Sequence, residues 1–108
     1  MNGGSKTKKI INGKKYNTET AEKVGRRCSG SSTSDFSYWC QTLYRKRTGE
    51  FFLYGEGGPM TGYARSCGDN NWGWGDEIIP LTKKKAKQWA EWNLDGDEYE
   101  AIFGEVEE

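Results

Sequence analysis

Hydrophobic positions are densest in residues 42–58, TLYRKRTGEFFLYGEGG. The two apolar runs of this segment are rich in aromatic residues, which favour a pleated, half-buried surface. A three-residue loop ending in Gly49 separates the runs, and glycine there suits the left-handed position of a type I turn with a G1 bulge. The pattern predicts a central β-hairpin over about residues 42–55, with Leu43 and Tyr44 on opposite faces.

One face of this hairpin is expected to enter the core, and the other is expected to stay aromatic and basic. The second face carries a candidate nucleic-acid site at the hairpin tip, formed by Tyr44, Arg45, Lys46 and Arg47. Aromatic rings interleaved with guanidinium groups are chemistry that single-stranded nucleic acid uses. The alternative is a solvated turn whose charges protect the edge of a sheet.

The N-terminal region predicts an arm, a hairpin and a helix. Residues 1–9, MNGGSKTKK, have nothing to bury and are expected to form a flexible basic arm before a single domain of residues 10–108. The Asn-Gly pair at 12–13 predicts a type I′ hairpin. Residues 17–28 predict a short helix, because Asn17 or the following threonine can cap it and a narrow apolar stripe follows.

A second candidate for phosphate contact lies in this region. It combines lysines of the first hairpin with cations on the flanks of the predicted helix: Lys14, Lys15, Lys23, Arg26 and Arg27. Cations that follow one another along a surface can track a phosphate backbone. The alternative is a wetted helix face that binds no ligand.

The middle of the chain predicts a strand followed by loops. Residues 35–41 alternate with a period of two and predict a strand entering the central hairpin. Three glycines and a proline in residues 55–59 predict a loop. Residues 67–75 predict a second loop, in which one of Trp72 and Trp74 is expected to cover the core as a lid, and the other is either a second lid or part of a recognition surface.

The C-terminal region predicts a strand over residues 76–81 and the clearest helix of the chain, Lys83–Leu94. Trp92 is expected to widen the buried stripe of this helix, and a second helix from Asp97 is expected to continue the stripe to Val106. Four lysines lie near the start of the longer helix, Lys83, Lys84, Lys85 and Lys87, and the first three form a third candidate site. Cations there are disfavoured by about 0.3–1 kcal/mol each, which indicates a ligand-facing role.

The order of elements is strand, helix, two strands, loops, strand and two helices. This order indicates an α+β domain in which a small antiparallel sheet is covered on one face by the C-terminal helices. The chain has 108 residues, of which 33% are hydrophobic and 14% aromatic. It can therefore bury a small core in which rings replace aliphatic side chains.

The net charge of zero conceals a division between the two halves of the chain. Residues 1–54 hold eleven Lys and Arg against four Asp and Glu, a net charge of +7. Residues 55–108 hold five against twelve, a net charge of −7. If the halves fold onto separate surfaces, the basic one can track a phosphate backbone and the acidic one can meet a basic protein channel. If they interleave, both effects vanish.

Catalytic chemistry is sparse, because the chain has no histidine. The commonest acid and base is missing, as are the Ser-His and Cys-His nucleophile pairs. Glu50 with Glu56 as acid and base, and Asp76 with Glu77 as metal ligands, are weak candidates without a specified geometry. No enzymatic activity, cofactor or metal ion is expected.

Three cysteines are an odd number without a paired short spacing, which argues against a disulfide framework and a zinc ribbon. Cys28, Cys40 and Cys67 are expected to be reduced thiols in a cytoplasmic protein, with one disulfide as the alternative. No apolar run approaches about 18 residues, so no membrane insertion is expected.

Several blocks of the sequence resemble a family of small proteins carried on plasmids and conjugative elements of Gram-positive bacteria. The blocks are IINGKKYNTETA, LYRKRTGEFFLYGEGG, EIIPLT, KQWAEWNL and DEYEAIFGEVEE. Some members of that family resemble type II-A anti-CRISPR inhibitors. The similarity covers roughly residues 10 to 108 and includes no catalytic signature.

The resemblance implies a protein that disables a type II RNA-guided DNA nuclease in a bacterial host. Its expected partners are the nuclease, the guide RNA or both, and its expected action is to prevent loading of the guide RNA or to alter that RNA. Because such a nuclease has a basic channel for nucleic acid, acidic side chains can also compete there. The alternatives are a ribonuclease-like enzyme acting on guide RNA and a nucleic-acid-binding accessory protein of a mobile element.

Overall fold

The computed structural model describes residues 7–30, 36–66, 68 and 72–108. These residues form eight strands and two helices: β1 (Lys8–Ile11), β2 (Lys14–Asn17), β3 (Glu22–Cys28), β4 (Trp39–Arg45), β5 (Phe51–Gly57), β6 (Arg65–Ser66), β7 (Trp72–Gly73), β8 (Gly75–Leu81), α1 (Lys83–Asn93) and α2 (Gly96–Phe103). The predicted α+β class is confirmed.

Four antiparallel strands form the main sheet, in the order β3-β4-β5-β8. The central pair is the hairpin predicted from the sequence, and its loop closes as expected. Lys46 donates a backbone hydrogen bond to the carbonyl of Glu50 at 2.8 Å, and Gly49 has a φ of +92°. We call the end of the sheet at this loop the tip end and the opposite end the far end.

The outer strands of the sheet are β3 and β8. β8 confirms the strand predicted over residues 76–81, and it contains Pro80 opposite Phe52. β3 contains a bulge between Lys23 and Gly25. Proline has no N–H for a strand ladder, and a bulge interrupts the ladder, so both features suit an outer position.

The two helices cover one face of the sheet, as predicted. The buried residues of this core are Leu43, Phe51, Leu53, Ala86, Trp89 and Ala90. The indole nitrogen of Trp89 donates to the side-chain oxygen of Gln41 at 2.7 Å, so the polar atom of the ring is satisfied. Burying a large apolar side chain contributes about 1.5–3 kcal/mol, which makes this cluster a main source of stability.

The β1–β2 hairpin covers the other face of the sheet. Its Tyr16 packs edge-on against Phe52 at 5.5 Å, and Tyr44 stacks on Phe52 at 5.0 Å. Tyr44 and Phe52 are 1% and 0% exposed. The expectation of an open aromatic and basic face is therefore wrong, because these rings gain more from a covering hairpin than from remaining in water.

The type I′ turn predicted at Asn12 and Gly13 is confirmed by their φ values of +52° and +78°. The other end of this hairpin is closed by a threonine pair, in which the amide of Thr18 donates to the carbonyl of Thr7 at 2.9 Å. Residues 7–9 belong to the hairpin and its base, although they were predicted to be part of a flexible arm. Residues 1–6 lie outside the described part of the chain.

Strand β3 stands where a helix was predicted. Asn17 does cap a turn, since its Oδ1 accepts a hydrogen bond from the amide of Glu19 at 2.9 Å, but the chain then enters the sheet. Gly25 lets β3 approach the helices closely, because a Cβ at this position would lie 2.9 Å from Cδ1 of Leu94. Pairing with β4 overrode a weak local helical pattern.

Cys28 and Cys40 form a disulfide between β3 and β4. The two residues are direct partners in the strand register, with their Cα atoms 4.1 Å apart. The prediction of reduced thiols is wrong for this pair, because the pairing of distant strands brings the two cysteines opposite each other. Cys67 lies outside the described residues.

Strand β5 continues through Gly55 and Gly57, where a loop was predicted. The segment after β5 folds back over the sheet and occupies the space that side chains would need. A Cβ on Gly55 would overlap the ring of Tyr63, and one on Gly75 would overlap the carbonyl oxygen of Tyr63. These glycines therefore permit a close approach of two chain segments.

The strand predicted over residues 35–41 is correct only in its last part. β4 begins at Trp39, whereas Phe36 lies in a turn and is 64% exposed. The amide of Met60 donates to the carbonyl of Phe36 at 2.9 Å, so the turn lies against the segment after β5.

Both C-terminal helices begin within one residue of their predicted starts. Thr82 caps α1 by accepting a hydrogen bond from the amide of Lys85 at 3.1 Å, and Asp95 caps α2. Trp92 and Val106 were predicted to extend the buried stripe, but they are 82% and 55% exposed. The stripe that contacts the sheet is narrow, so residues on its flank remain in water.

Candidate nucleic-acid interface

Lys46 joins the two hairpins at the tip end. Its Nζ donates to the carbonyl oxygen of Lys15 at 2.9 Å, pairs with Glu50 at 2.8 Å and lies 4.0 Å from the centre of the Tyr16 ring. Only 14% of the Lys46 side chain is exposed. A cation–π contact of this kind contributes about 0.5–2 kcal/mol, so Lys46 helps to hold one hairpin on the other.

Glu50 is the acid at the centre of this arrangement. One carboxylate oxygen accepts a hydrogen bond from Nζ of Lys14 at 2.6 Å, and the other pairs with Lys46. These contacts, with that of Lys14 the larger, lower the pKa of Glu50 to about 2. The same hydrogen bond raises the pKa of Lys14. At neutral pH both groups are therefore fully charged.

Five cationic side chains from three segments gather around these contacts, and together they are called the basic cluster: Lys14, Lys15, Lys46, Arg47 and Lys83. The first four line a surface cleft of about 480 Å³. Lys83 lines an adjoining cleft of about 450 Å³, to which Lys14 also contributes. The structure thus brings together cations that the sequence placed in three separate candidate sites.

The basic cluster keeps an excess of positive charge. Among the described residues that line its two clefts, Glu50 is the sole acid, so five cations face one carboxylate. Lys15, Arg47 and Lys83 are exposed, and their side chains form no ion pair with any other described residue. These three side chains are available to an anionic ligand.

Two residues of the predicted hairpin site are not part of the cluster. Arg45 donates to the carbonyl of Ile102 at 3.1 Å and to the carboxylate of Glu22 at 3.0 Å, so it anchors α2 to the sheet. Tyr44 lies beneath the β1–β2 hairpin, where burial raises the pKa of its hydroxyl. The predicted binding role is wrong for Tyr44, which a nucleobase cannot reach, and Arg45 is occupied by structural contacts.

The first turn of α1 extends the positive surface. Lys83, Lys84 and Lys85 are all exposed, and this turn contains no acid. Lys83 and Lys84 also line a further cleft of about 460 Å³ with Lys87. Because the helix dipole adds its own positive end here, the local potential exceeds that of the side chains alone.

The remaining predicted site residues lie nearer the far end. Arg26 and Arg27 pair with the far half of β4, and Trp74 directly precedes β8 at its far end. A strand rises roughly 3.3 Å per residue, so Trp74 lies roughly 20 Å along the sheet from the tip end, whereas Arg26 and Arg27 lie roughly 10–13 Å from it. Trp72 and Trp74 are 57% and 42% exposed, so neither is the closed lid that was expected for one of them.

The carboxylates considered for catalysis do not form a pair. Glu50 is held by lysines at the tip end, directly before β5, whereas Glu56 lies near the far end of β5, roughly 20 Å away. Asp76 accepts hydrogen bonds from Tyr54 at 2.8 Å and Arg65 at 3.2 Å. Within the described part of the chain, no group of three or more His, Cys, Asp or Glu side chains is arranged to hold a metal ion.

Two contacts of the site were not predicted from the sequence: the ion pairs of Glu50 and the packing of Tyr16 on Lys46. Glu50 lies four residues after Lys46, and this short spacing across a hairpin tip was a usable signal for an ion pair. Tyr16 supports the ammonium of Lys46 from a distant part of the chain. That contact depends on the packing of one hairpin on another, for which the sequence offers no local signal.

The described residues include no helix that is long and apolar enough to cross a membrane. Comparisons of the chain with protein families, with curated proteins and with solved structures gave no match. The chemistry of the basic cluster is therefore the main guide to function.

Proposed function

We propose that the protein is an anti-CRISPR inhibitor that acts on the guide RNA of a type II RNA-guided DNA nuclease, in the cytoplasm of a bacterial host. Its role is to bind the RNA without cleaving it and so to prevent loading. The blocks of sequence that resemble mobile-element proteins support this function. The observation that carries the proposal is the basic cluster, in which five cations surround one carboxylate.

The cluster suits the backbone of RNA. Cations that replace the counterions of a nucleic acid release them to solution, which drives binding and makes it depend on salt. The contacts of Lys46 with Lys15 and Glu50 hold the two hairpins together. This rigid support carries the exposed side chains of Lys15, Arg47 and Lys83. A preorganised surface loses less entropy on binding. A guide RNA held there is not free to enter the basic channel of the nuclease.

The first experiment is a gel shift of free guide RNA at several salt concentrations. The test variant combines Lys15→Gln with Arg47→Gln, because both side chains are exposed and neither forms an ion pair with a described residue. Removing two phosphate contacts should weaken binding and reduce the slope of log K against log salt by about 2. An unchanged slope would contradict the proposed interface.

The matched control combines Ala101→Glu with Val106→Glu, which lowers the net charge by the same amount. Both positions are exposed in the C-terminal segment and lie outside the basic cluster. The control should shift guide RNA with the salt slope of the original protein. If it is as defective as the test variant, total charge and not the cluster determines binding.

The second experiment measures DNA cleavage with the order of addition varied. Protein added before the guide RNA should inhibit the nuclease, whereas protein added after guide loading should not. The RNA should remain full length throughout, since shortened RNA would indicate a ribonuclease. A shift of RNA without any effect on cleavage would indicate an accessory nucleic-acid-binding protein.

The C-terminal carboxylates support a second mode of inhibition. Glu91, Asp95, Asp97 and Glu100 line a cleft of about 480 Å³ whose described lining includes no Lys or Arg. An acidic surface can compete for a basic nucleic-acid channel. This mode predicts no shift of free RNA, binding to the unloaded nuclease, and loss of that binding when Asp97→Lys and Glu100→Lys are combined.

A further inference from the structure

Exposed aromatic rings gather at the far end of the sheet. Trp74 stacks on Tyr38, with ring centres 6.1 Å apart and planes inclined by 23°. Trp74 nevertheless remains 42% exposed, and Trp72, two residues earlier, is 57% exposed. A ring that is supported by another ring and still open to solvent is preorganised to stack on a further planar group.

Arg26 borders this stack. Its Nη2 lies 3.5 Å from Sγ of Cys40, and the hydroxyl of Tyr38 lies 3.0 Å from the same sulfur. Because both groups contact one atom, the guanidinium and the phenol ring are neighbours. The disulfide of Cys40 with β3 fixes this arrangement, since β3 also carries Arg26.

A row of cations connects these rings with the basic cluster. Lys23 pairs with Tyr44 and Arg26 pairs with Thr42, so both lie on the face of the sheet that the β1–β2 hairpin covers at the tip end. Both side chains are exposed. An extended anionic chain that leaves the cluster along β3 therefore meets Lys23, then Arg26 and then the Tyr38–Trp74 stack.

We propose that Tyr38, Trp72 and Trp74 form a stacking platform for unpaired bases of single-stranded RNA. The inference rests on the proposed function for the nature of the ligand, and it adds that the recognised segment is single-stranded. Unpaired bases stack on aromatic rings with little dependence on sequence. Bases inside an A-form duplex are already stacked and paired, so they cannot use such a platform.

The acids at the far end favour a base over a phosphate at this position. Glu56 and Asp76 are opposite each other in the strand register, and Asp76 lies two residues after Trp74. Asp76 is already bound by Tyr54 and Arg65, and Glu56 adds a negative charge that disfavours phosphate. Stacking of a neutral base does not meet this repulsion, so the far end binds bases and the basic cluster binds the backbone.

The test compares Trp74→Ala with Trp92→Ala as a matched control, because Trp92 is 82% exposed on α1 and lies outside the platform. The probes are a short single-stranded oligoadenylate RNA and an RNA duplex of the same length. Trp74→Ala should bind the single strand roughly tenfold more weakly or worse, because each stacked base contributes substantially to affinity. Its salt slope should stay unchanged, since no phosphate contact is removed.

Trp74→Phe should restore most single-strand binding, because it retains a ring. The control variant should bind both probes normally, and Trp74→Ala should bind the duplex normally. The inference fails if Trp74→Ala binds the single strand as tightly as the original protein does. If the combined Lys15→Gln and Arg47→Gln variant is weakened in the same assay, the proposed function still stands. The inference also fails if Trp74→Ala binds RNA normally and loses binding to the purified nuclease, since the rings then dock a protein.

Discussion

At the scale of single residues, Glu50 both assembles the basic cluster and limits its charge. It draws Lys14 and Lys46 together from two hairpins, at distances of 2.6 and 2.8 Å. Without an acid at this place, the two ammonium groups would repel each other across the contact between the hairpins. The carboxylate therefore links the stability of the tip end to the chemistry proposed for it.

Glu50→Gln should lower stability at neutral pH by an amount that disappears in acid. The pKa of Glu50 is lowered from 4.5 to about 2, so its stabilising contribution is present above pH 4.5 and is lost as the pH falls toward 2. Denaturant midpoints of the original protein and the variant, measured from pH 7 to pH 2, should converge across that window. A constant difference would show that the ion pairs do not stabilise the fold.

Lys83 presents a conflict between stability and binding. It occupies the first turn of α1, which has no acid, so Lys83→Glu should raise stability by about 0.3–1 kcal/mol or more. The same substitution removes a cation of the basic cluster and should weaken the guide RNA shift. Thermal unfolding and gel shifts on one variant should thus change in opposite directions.

Lys87→Glu is the control for this conflict, because it makes the same charge change in the same helix but beyond the first turn. It should not raise stability, since it also removes the ammonium that lies 5.9 Å from the ring of Phe103. If both substitutions stabilise the protein equally, the helix dipole is not the reason why Lys83→Glu raises stability.

At the scale of elements, the fold depends on close approaches that only glycine allows. Gly75→Ala should destabilise the protein by about 1–3 kcal/mol, because its Cβ would overlap the backbone of the segment at Tyr63. Gly62→Ala is the control, with nothing within 4 Å of its added carbon, and should change stability by less than about 0.5 kcal/mol. Chemical denaturation of both variants measures the difference.

The disulfide fastens two elements that are already paired by a strand ladder. Cys28→Ala combined with Cys40→Ala should lower stability by up to about 3 kcal/mol while β3 stays in the sheet. Guide RNA binding at the basic cluster should persist, because the cluster lies at the other end of the sheet. Circular dichroism, thermal unfolding and gel shifts test this expectation, and loss of the folded state would contradict it.

Local signals predicted the elements that depend on local chemistry. Gly49, the Asn12-Gly13 pair and the cap at Thr82 each determine the backbone within a few residues, and the turns and helix they predict are present. β3 was mistaken for a helix because its ladder partner, β4, is distant in the sequence. The apolar helical pattern of this segment was weak, and pairing with β4 made it a strand.

At the scale of the whole molecule, the candidate site also divides into features that local sequence predicts and features that depend on contacts between elements. The cations of the basic cluster were each predicted from their own segment, but their convergence depends on how the β1–β2 hairpin packs on the sheet. The burial of Tyr44 follows from the same packing. Contacts between elements therefore determine which predicted side chains form a common surface and which are enclosed.

Positive and negative charges gather at different places on the fold, although Lys83 of the acidic half joins the basic cluster. The four ion pairs found among the described residues each join partners from the same half of the chain: Lys14–Glu50, Arg45–Glu22, Lys46–Glu50 and Arg65–Asp76. No pair in the described part of the chain cancels charge between the halves. The basic cluster and the acidic cleft beside α2 accordingly present opposite signs to a partner.

The outer strands have a consequence for self-association. The bulge between Lys23 and Gly25 bends one margin of the sheet, and Pro80 removes a donor from the other. A neighbouring copy that tried to add its own strand would meet an irregular ladder on either side, together with like charges along β3. Concentrated solutions should therefore resist the edge-to-edge polymerisation to which small open sheets are prone.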